Sequence, residues 1–423
     1  MNNRLFSKNF TLLVLGQVSS LLGNYTLKFA LSMYVLEQTG SAAVFATLLA
    51  VSMVPMILLS PFGGMLADRM NRRNLMVMLD VISGCSVLAL FFMSRENTGI
   101  LLIAVLLMFL SVLGAFESPT VQACVPQMQT GDNILKGNAV VNQISAVTGL
   151  VTPFAGSFFY TAFGLRAVLA VTSLCFFVTA LLECFIRLEY QKPVEKQSVI
   201  KIVKSDFSDS IRFLGKEQPN VLKLLFLAAL ASFFAIGLMA VGFPFLVRNV
   251  LGLSAQYYGA AESAVGAAAV VGGLSVSLLA GKLKVEKLNR MIILLGVGLF
   301  PAGIAFLLPV STFVKYLVLV LSFCVGQIAC NIFSIFALSV IQERTPQQLT
   351  GKVMSYVFTV SMCAQPLGQL VYGFLFDASA KNPAVVLLLT GAAIGAIGWL
   401  SGGFFKRFGE EGKQEEEKRK RKD

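Results

Sequence analysis

Apolar runs recur along this chain from one end to the other. A helix of about 20 residues rises about 30 Å, which matches the hydrocarbon thickness of a bilayer. The 423 residues are 56% hydrophobic and 13% charged, with a mean hydropathy of +0.77, whereas soluble proteins carry about 25% charged residues. The alternating ten-residue patterns typical of membrane barrels are absent from the sequence. The chain is therefore predicted to be an all-α polytopic membrane protein without a large soluble domain.

Breaks between the apolar runs divide the chain into two sets of six predicted spans. A polar, lysine-rich segment separates the sets. This pattern predicts an N-terminal six-helix bundle at 1–187, a cytoplasmic linker at 188–219, a C-terminal six-helix bundle at 220–405 and a charged cytoplasmic tail at 406–423. The twelve predicted spans are 10–36, 41–62, 74–94, 99–122, 139–162, 165–187, 220–248, 255–280, 289–309, 315–340, 352–377 and 383–405.

Lysine and arginine are distributed very unevenly between the two sides of this predicted topology. Of 34 such residues, 28 fall in the termini and loops of one side and five in the loops of the other. Cytoplasmic loops are the ones enriched in Lys and Arg. We therefore expect a multi-pass protein of the cytoplasmic membrane with both termini in the cytoplasm. The net charge of +12 then reflects membrane topology, and no nucleic-acid partner is expected.

The fifth and eleventh predicted spans have related patterns of glycine and proline. The fifth carries Gly149, Pro153 and Gly156, and the eleventh carries Pro366 and Gly368, with the two prolines 213 residues apart. Small residues let membrane helices approach closely. These positions are predicted to form bendable, closely packed seams, and the fifth and eighth spans are expected to meet between the halves. The repeated spacing favours parallel six-span repeats.

The loop between the second and third spans reads GGMLADRMNRR at 63–73 and resembles the loop motif of the major facilitator superfamily. The first span and the segments AFESPTVQACVP and IQERTPQQLTGKV are similar to the drug:proton antiporter branch, which includes macrolide-efflux-type exporters. The resemblance implies two pseudo-symmetric six-helix bundles and secondary transport. The positions that match the loop motif are Gly64, Leu66, Asp68, Arg69, Arg72 and Arg73.

Two readings of this loop follow from its residues. A phosphate-binding loop would need a preceding strand and a P-loop lysine, and neither is present. Arg72 and Arg73 serve as positive-inside anchors. Asp68 opposes the topology rule, and the resemblance implies that it meets an arginine or a helix N-terminus of the other half, forming a latch at a cytoplasmic gate. Asp80 is expected to join this gate by bonding an arginine near the inner surface.

Four ionisable side chains stand out inside predicted spans, namely Lys28, Asp80, Glu117 and Glu262. Each costs a few kcal/mol at mid-bilayer unless it is paired or hydrated. Lys28 lies four residues after Asn24, on the same helical face. A pair between Lys28 and Glu262 across a central cavity is one possibility, and snorkelling of Lys28 towards the surface is the other.

Glu117 is the strongest candidate for binding the coupling proton. It precedes Pro119 by two residues in the fourth span, which lines the cavity in the family that the chain resembles. The sequence contains no histidine, so carboxylates must carry any coupled protons, and removal from water favours their neutral form. Glu262 is a second candidate. Gln327 and Asn331, one turn apart in the tenth span, are the polar pair most expected to face substrate.

These observations predict a monomeric secondary transporter that exports small amphipathic compounds in exchange for protons. No enzyme, cofactor or metal signature occurs in the sequence, so no catalytic or metal-binding residue is assigned and a proton gradient is the expected energy source. A lipid or lysophospholipid flippase on the same fold is the alternative within transport. A non-transporting membrane sensor is the alternative from another class.

Overall fold

The computed structural model describes residues 5–94, 99–130, 132–188, 218–279, 284–345 and 347–410. Within these ranges the chain is helical and has no strand. The N-terminal part contains five helices, of which the last is the longest. They are α1 (Lys8–Thr39), α2 (Ala42–Arg69), α3 (Arg72–Met93), α4 (Ile100–Met128) and α5 (Asp132–Cys184).

The C-terminal part repeats the helical pattern with more interruptions. Two π-helical segments, Leu238–Gly242 and Leu246–Val250, extend the first of these helices. Pro244 lies between them, and a proline inside a helix removes one backbone donor and shifts the hydrogen-bond pattern. The helices are α6 (Pro219–Gly237), α7 (Ala255–Leu279), α8 (Asn289–Val297), α9 (Phe300–Leu307), α10 (Thr312–Glu343), α11 (Gln347–Ala378) and α12 (Pro383–Leu400).

The described helices confirm an all-α polytopic membrane protein. Ten helical segments in the described ranges are long and apolar enough to cross a bilayer. One of them, 136–184, is 49 residues long and is interrupted at Gly164, whose φ of 76° and ψ of 177° suit glycine because it has no Cβ. The fifth and sixth predicted spans are therefore the two arms of α5. The eleventh predicted span lies in α11, which carries Gln365 and Gln369 and is not among the ten.

The chain forms two compact units. Unit 1 comprises Met1–Gly40, Leu48–Val203 and Leu253–Ser263, and unit 2 comprises Ser41–Thr47, Lys204–Gly252 and Ala264–Asp423. The first residues of α2 thus group with unit 2, and the first residues of α7 group with unit 1.

Unit 1 is held together where α1 and α3 pack on the second arm of α5. Hydroxyl groups cross between these helices to backbone carbonyls: Ser19 Oγ donates to the carbonyl of Cys175 at 3.0 Å, and Thr172 Oγ1 donates to that of Gly23 at 3.2 Å. A Cβ on Gly23 would lie 2.9 Å from Cys175 Cβ. Lipid offers little hydrophobic drive for helix association, so close backbone approach and interhelical hydrogen bonds take that role.

Unit 2 uses glycines in the same way. A Cβ on Gly237 of α6 would lie 2.6 Å from the carbonyl carbon of Gly368 on α11. Pro366 is buried in the same helix, so this part of α11 is closely packed. Asp377, near the end of α11, accepts hydrogen bonds from Ser41 Oγ at 2.5 Å and from the backbone N–H of Ala42 at 2.6 Å. Its carboxylate therefore caps the first turn of α2.

We expect two glycines of α12 to respond oppositely to the same substitution. A Cβ on Gly398 would lie 2.7 Å from Ile293 Cγ1 and 2.8 Å from Ile293 N, whereas a Cβ on Gly395 would meet nothing within 4 Å. Both alanine variants gain about 1 kcal/mol of helix propensity. Gly398→Ala should nevertheless lower the apparent unfolding temperature in detergent by several degrees, because overpacking costs about 1–3 kcal/mol. Gly395→Ala should leave that temperature unchanged or raise it, and equal shifts in both variants would contradict the packing.

Candidate functional site

Within unit 1, Glu117 and Asp80 meet at one serine of α1. Ser20 Oγ lies 3.2 Å from Glu117 Oε1 and 3.4 Å from Asp80 Oδ1. Glu117 is half-buried and Lys28 is exposed, and the two opposite charges attract each other. A Lys28–Glu262 pair and snorkelling of Lys28 are the two possibilities that follow from the sequence; in the structure, the carboxylate that interacts electrostatically with Lys28 is Glu117.

The cluster continues from Asp80 to Glu183, an acid that the sequence analysis did not single out. Asp80 is 0% exposed and Glu183 is 1% exposed. Their carboxyl groups lie within hydrogen-bonding reach of each other, and Asp80 Oδ2 and Glu183 Oε2 have no other hydrogen-bond partner. Glu183 lies inside the sixth predicted span, so the search for ionisable residues in apolar runs applies to it equally. Because Glu183 lies one residue before the end of α5, the sequence alone does not distinguish it from the polar segment that follows the span.

Asp80 does not take up the position expected from the sequence. It was predicted to bond an arginine near the inner surface, but its carboxyl group faces Ser20 and Glu183. The neighbouring arginines of α3 bond to backbone carbonyls instead: Arg72 donates to that of Ala123, within α4, at 2.7 Å, and Arg73 donates to that of Cys184, the last residue of α5. A cation at a helix C-terminus is favourable because the last carbonyls carry partial negative charge.

The surroundings of Gly64 and the side chain of Asp68 lie outside what the structure describes, and with them the predicted latch. Arg69 is the last residue of α2 and is exposed. The cytoplasmic gate therefore stays a prediction.

Glu262 occupies a second polar site within unit 1. Its carboxyl group accepts a hydrogen bond from Tyr258, one turn earlier on α7, and the ring of Tyr258 stacks on Phe29 with 5.5 Å between centroids. Phe29 follows Lys28 directly in α1. Asn24, one turn before Lys28 in the same helix, is half-buried.

Within unit 1, the glycine and proline seam of α5 packs against the first turns of α7. Ser263 Oγ donates to the carbonyl of Leu150 at 2.9 Å. Pro153 and Ser157 lie where a Cβ on Gly259 would be. Gly156 faces α1, with Thr26 Cα 3.6 Å from the position of its missing Cβ, and Gly149 is more open, 3.9 Å from Tyr25.

An apolar pocket opens between α1 and the first arm of α5. Its volume is about 530 Å³, within the range of about 300–1,000 Å³ that is usual for small-molecule sites. Gln143 and Thr148 are its polar members. The lining residues are Val18, Leu22, Ala139, Val140, Gln143, Ile144, Val147, Thr148 and Val151.

In unit 2, the two residues of the predicted polar pair on α10, Gln327 and Asn331, have different surroundings. Asn331 Nδ2 donates to the carbonyl of Ala269 on α7 at 2.7 Å, which is a helix–helix contact. Gln327 lines a small pocket together with Phe234, Met239 and Phe323. A shared substrate-facing role for Gln327 and Asn331 stays a prediction.

Comparison with known proteins gives a consistent result for the whole chain. The family model of the Major Facilitator Superfamily matches residues 13–368. The chain is 22% identical to macrolide efflux protein A of Streptococcus pyogenes, over 87% of this chain and 89% of that protein. It is 23% identical to the multidrug efflux pump Tap of Mycobacterium bovis, over 84% of each chain. Among solved structures, a mutant of the peptide transporter POT superposes with a TM-score of 0.74 at 14% identity, covering 95% of both chains.

The interaction of Lys28 with Glu117 predicts a specific pattern in a double-mutant cycle. Lys28→Met leaves the acid cluster without this cation and should lower thermal stability. Adding Glu117→Gln removes the uncompensated acid, so the double variant should recover part of the loss, with a coupling energy of at least about 0.5 kcal/mol. The control cycle pairs Lys8→Met with Glu37→Gln, which lie near opposite ends of α1 and are therefore far apart. Additive effects in the Lys28–Glu117 cycle would mean that the two charges do not interact.

Proposed function

Because this chain belongs to the Major Facilitator Superfamily, we propose that it exports small amphipathic compounds in exchange for protons by alternating access. The observation that carries the proposal is the position of Glu117, a half-buried carboxyl group that lies 3.2 Å from the hydroxyl of Ser20 and interacts electrostatically with Lys28. Ionisable groups inside membrane spans are costly and mark ion or proton pathways. The direction of transport is supported by the relatives, which are named as efflux proteins.

Lys28 and Ser20 provide the carboxyl group of Glu117 with a partner in both its ionised and its protonated form. With its proton absent, the carboxylate is balanced by the ammonium group nearby. With its proton present, the carboxyl group is neutral and can donate a hydrogen bond to Ser20 Oγ, while Lys28 is exposed and can keep water around its charge. A group that is satisfied in both states can load and release a proton, which is what coupling requires.

The apolar pocket between α1 and α5 supports an amphipathic cargo. Aliphatic side chains make up most of its lining, with Gln143 as an exposed polar group at its surface. Such sites bind through apolar contact and fix orientation with a few polar groups. The pocket and Ser20 share α1, since Val18 and Leu22 flank that serine in the sequence.

Proton coupling is tested with the purified protein in liposomes that carry an imposed pH gradient. A panel of macrolides and lipophilic cations serves as cargo. Uphill movement of at least one compound, abolished by a protonophore, is expected for the unmodified protein. Glu117→Gln should reduce uphill transport at least tenfold but retain exchange of labelled for unlabelled cargo, which needs no net proton movement. Glu343→Gln, an exposed acid at the end of α10, is the matched control.

Full proton-driven transport by Glu117→Gln would overturn this assignment. Lipid movement between leaflets without any transport of the panel would favour the flippase alternative.

The pocket makes a separate prediction about size selectivity. Val147 is 49% exposed at its wall, so Val147→Phe narrows the space without adding charge. We expect weaker apparent affinity for the largest compounds and little change for the smallest. Val178→Phe, a 39% exposed valine on the other arm of α5, should leave both unchanged. Identical behaviour of the two variants would exclude this pocket as a cargo site.

A further inference from the structure

A chain of four polar groups runs from Glu117 into the interior of unit 1. Glu117 Oε1 is 3.2 Å from Ser20 Oγ, which is 3.4 Å from Asp80 Oδ1, and the carboxyl group of Asp80 lies within hydrogen-bonding reach of Glu183. Ser20, Asp80 and Glu183 are each at most 1% exposed. The three carboxyl groups come from α4, α3 and α5, so tertiary packing alone brings them together.

The hydrogen bonds among these four polar groups indicate that the three acids are not all ionised. Three contacts link the four groups, and each contact needs one proton to be a hydrogen bond. Ser20 has one hydroxyl proton, and an ionised carboxylate has none. If all three acids were ionised, Asp80 Oδ2 and Glu183 Oε2 would be buried with no hydrogen-bond partner, and burying an unpaired polar atom costs free energy. Two acid protons, one on Glu117 and one between Asp80 and Glu183, complete all three contacts.

Two cations lie near the ends of this cluster. Lys28 of α1 interacts electrostatically with Glu117. Arg72 of α3 and Cys124 of α4 lie near the Glu183 end, and the guanidinium of Arg72 is bonded to the carbonyl of Ala123.

We propose that Asp80 and Glu183 form a second proton-binding site and that Ser20 passes a proton between this pair and Glu117. The inference rests on the proposed role of Glu117 as the site of the coupling proton. In the transfer step, neutral Glu117 gives its proton to Ser20 Oγ while Ser20 gives its own proton to ionised Asp80. Glu117 ends as a carboxylate, Ser20 is unchanged and Asp80 is neutral, so no other reactant is needed.

The relay leads towards the predicted cytoplasmic surface. Glu183 is the penultimate residue of α5, and Arg73 donates to the carbonyls of Glu183 and Cys184. The topology predicted from Lys and Arg places this end of α5 at the cytoplasm. A proton that enters at Glu117 would therefore leave through the Asp80–Glu183 pair.

Two adjacent serines provide a matched test in the liposome assay. Ser20→Ala removes the bridging hydroxyl, whereas Ser19→Ala removes a hydroxyl that bonds to the carbonyl and the thiol of Cys175 and lies outside the acid cluster. Ser20→Ala, Asp80→Asn and Glu183→Gln should each slow proton-driven transport at least tenfold while cargo exchange is retained. Ser19→Ala should keep both, and Ser20→Thr should rescue the hydroxyl function.

Infrared spectroscopy of the purified protein measures the second site without transport. The carbonyl band of protonated carboxyl groups at neutral pH should weaken in Asp80→Asn and in Glu183→Gln, and stay the same in Glu343→Gln. An unchanged band in both buried variants would overturn the proton-binding pair. This readout remains informative for variants that fold but do not transport.

The outcomes separate the two proposals. If Glu117→Gln is uncoupled while Ser20→Ala and Glu183→Gln remain fully coupled, the relay is wrong and the proposed function stands. If Glu117→Gln remains coupled, the proposed function and the relay from Glu117 both fail, and the infrared band alone decides whether Asp80 and Glu183 hold a proton.

Discussion

Hydrocarbon offers no hydrogen-bond partner, and this constraint shapes every polar group in the described helices. A helix satisfies its own backbone, so only side chains are left to find partners. In unit 1 the small hydroxyls do this simply, because Ser19 and Thr172 bond to carbonyls of neighbouring helices. Carboxyl groups cannot, since an ionised acid has nothing to donate to a carbonyl. Asp80, Glu117 and Glu183 therefore depend on one another, on Ser20 and on protons.

Close helix approach is what allows those partnerships to form. Hydroxyl-to-carbonyl bonds across two helices require backbones that nearly touch, and Gly23 permits this where α1 meets α5. The same contact carries Ser20, three residues earlier, into the space between Glu117 and Asp80. Packing and proton chemistry are thus coupled, because a bulkier residue at Gly23 would move the serine as well as the helix.

The helical plan could be predicted from the sequence because it depends on local hydrophobicity. Each predicted span is helical over most of its length, and the break between the fifth and sixth spans falls at Gly164, where backbone geometry requires it. The π-helical segments around Pro244 were not predicted, since their register depends on packing as well as on the proline. The buried cluster was predicted only in part. Asp80 and Glu117 are visible as charges in apolar runs. Ser20 lies 60 residues from Asp80, and Glu183 lies farther still along the sequence, so tertiary structure alone brings these partners to the acids.

The difference in exposure between the two acid sites gives the proposed relay its direction. Glu117 is half-buried beside an exposed lysine, so its proton can exchange with water when the site is open. Asp80 and Glu183 are buried, so a proton reaches them from Glu117 only through Ser20. A single hydroxyl transfers one proton at a time and transfers none when either neighbouring carboxyl group is displaced. Movement of α1 relative to α3 and α4 within unit 1 would therefore break proton flow directly, which is the property that a coupled transporter needs to avoid leaking protons.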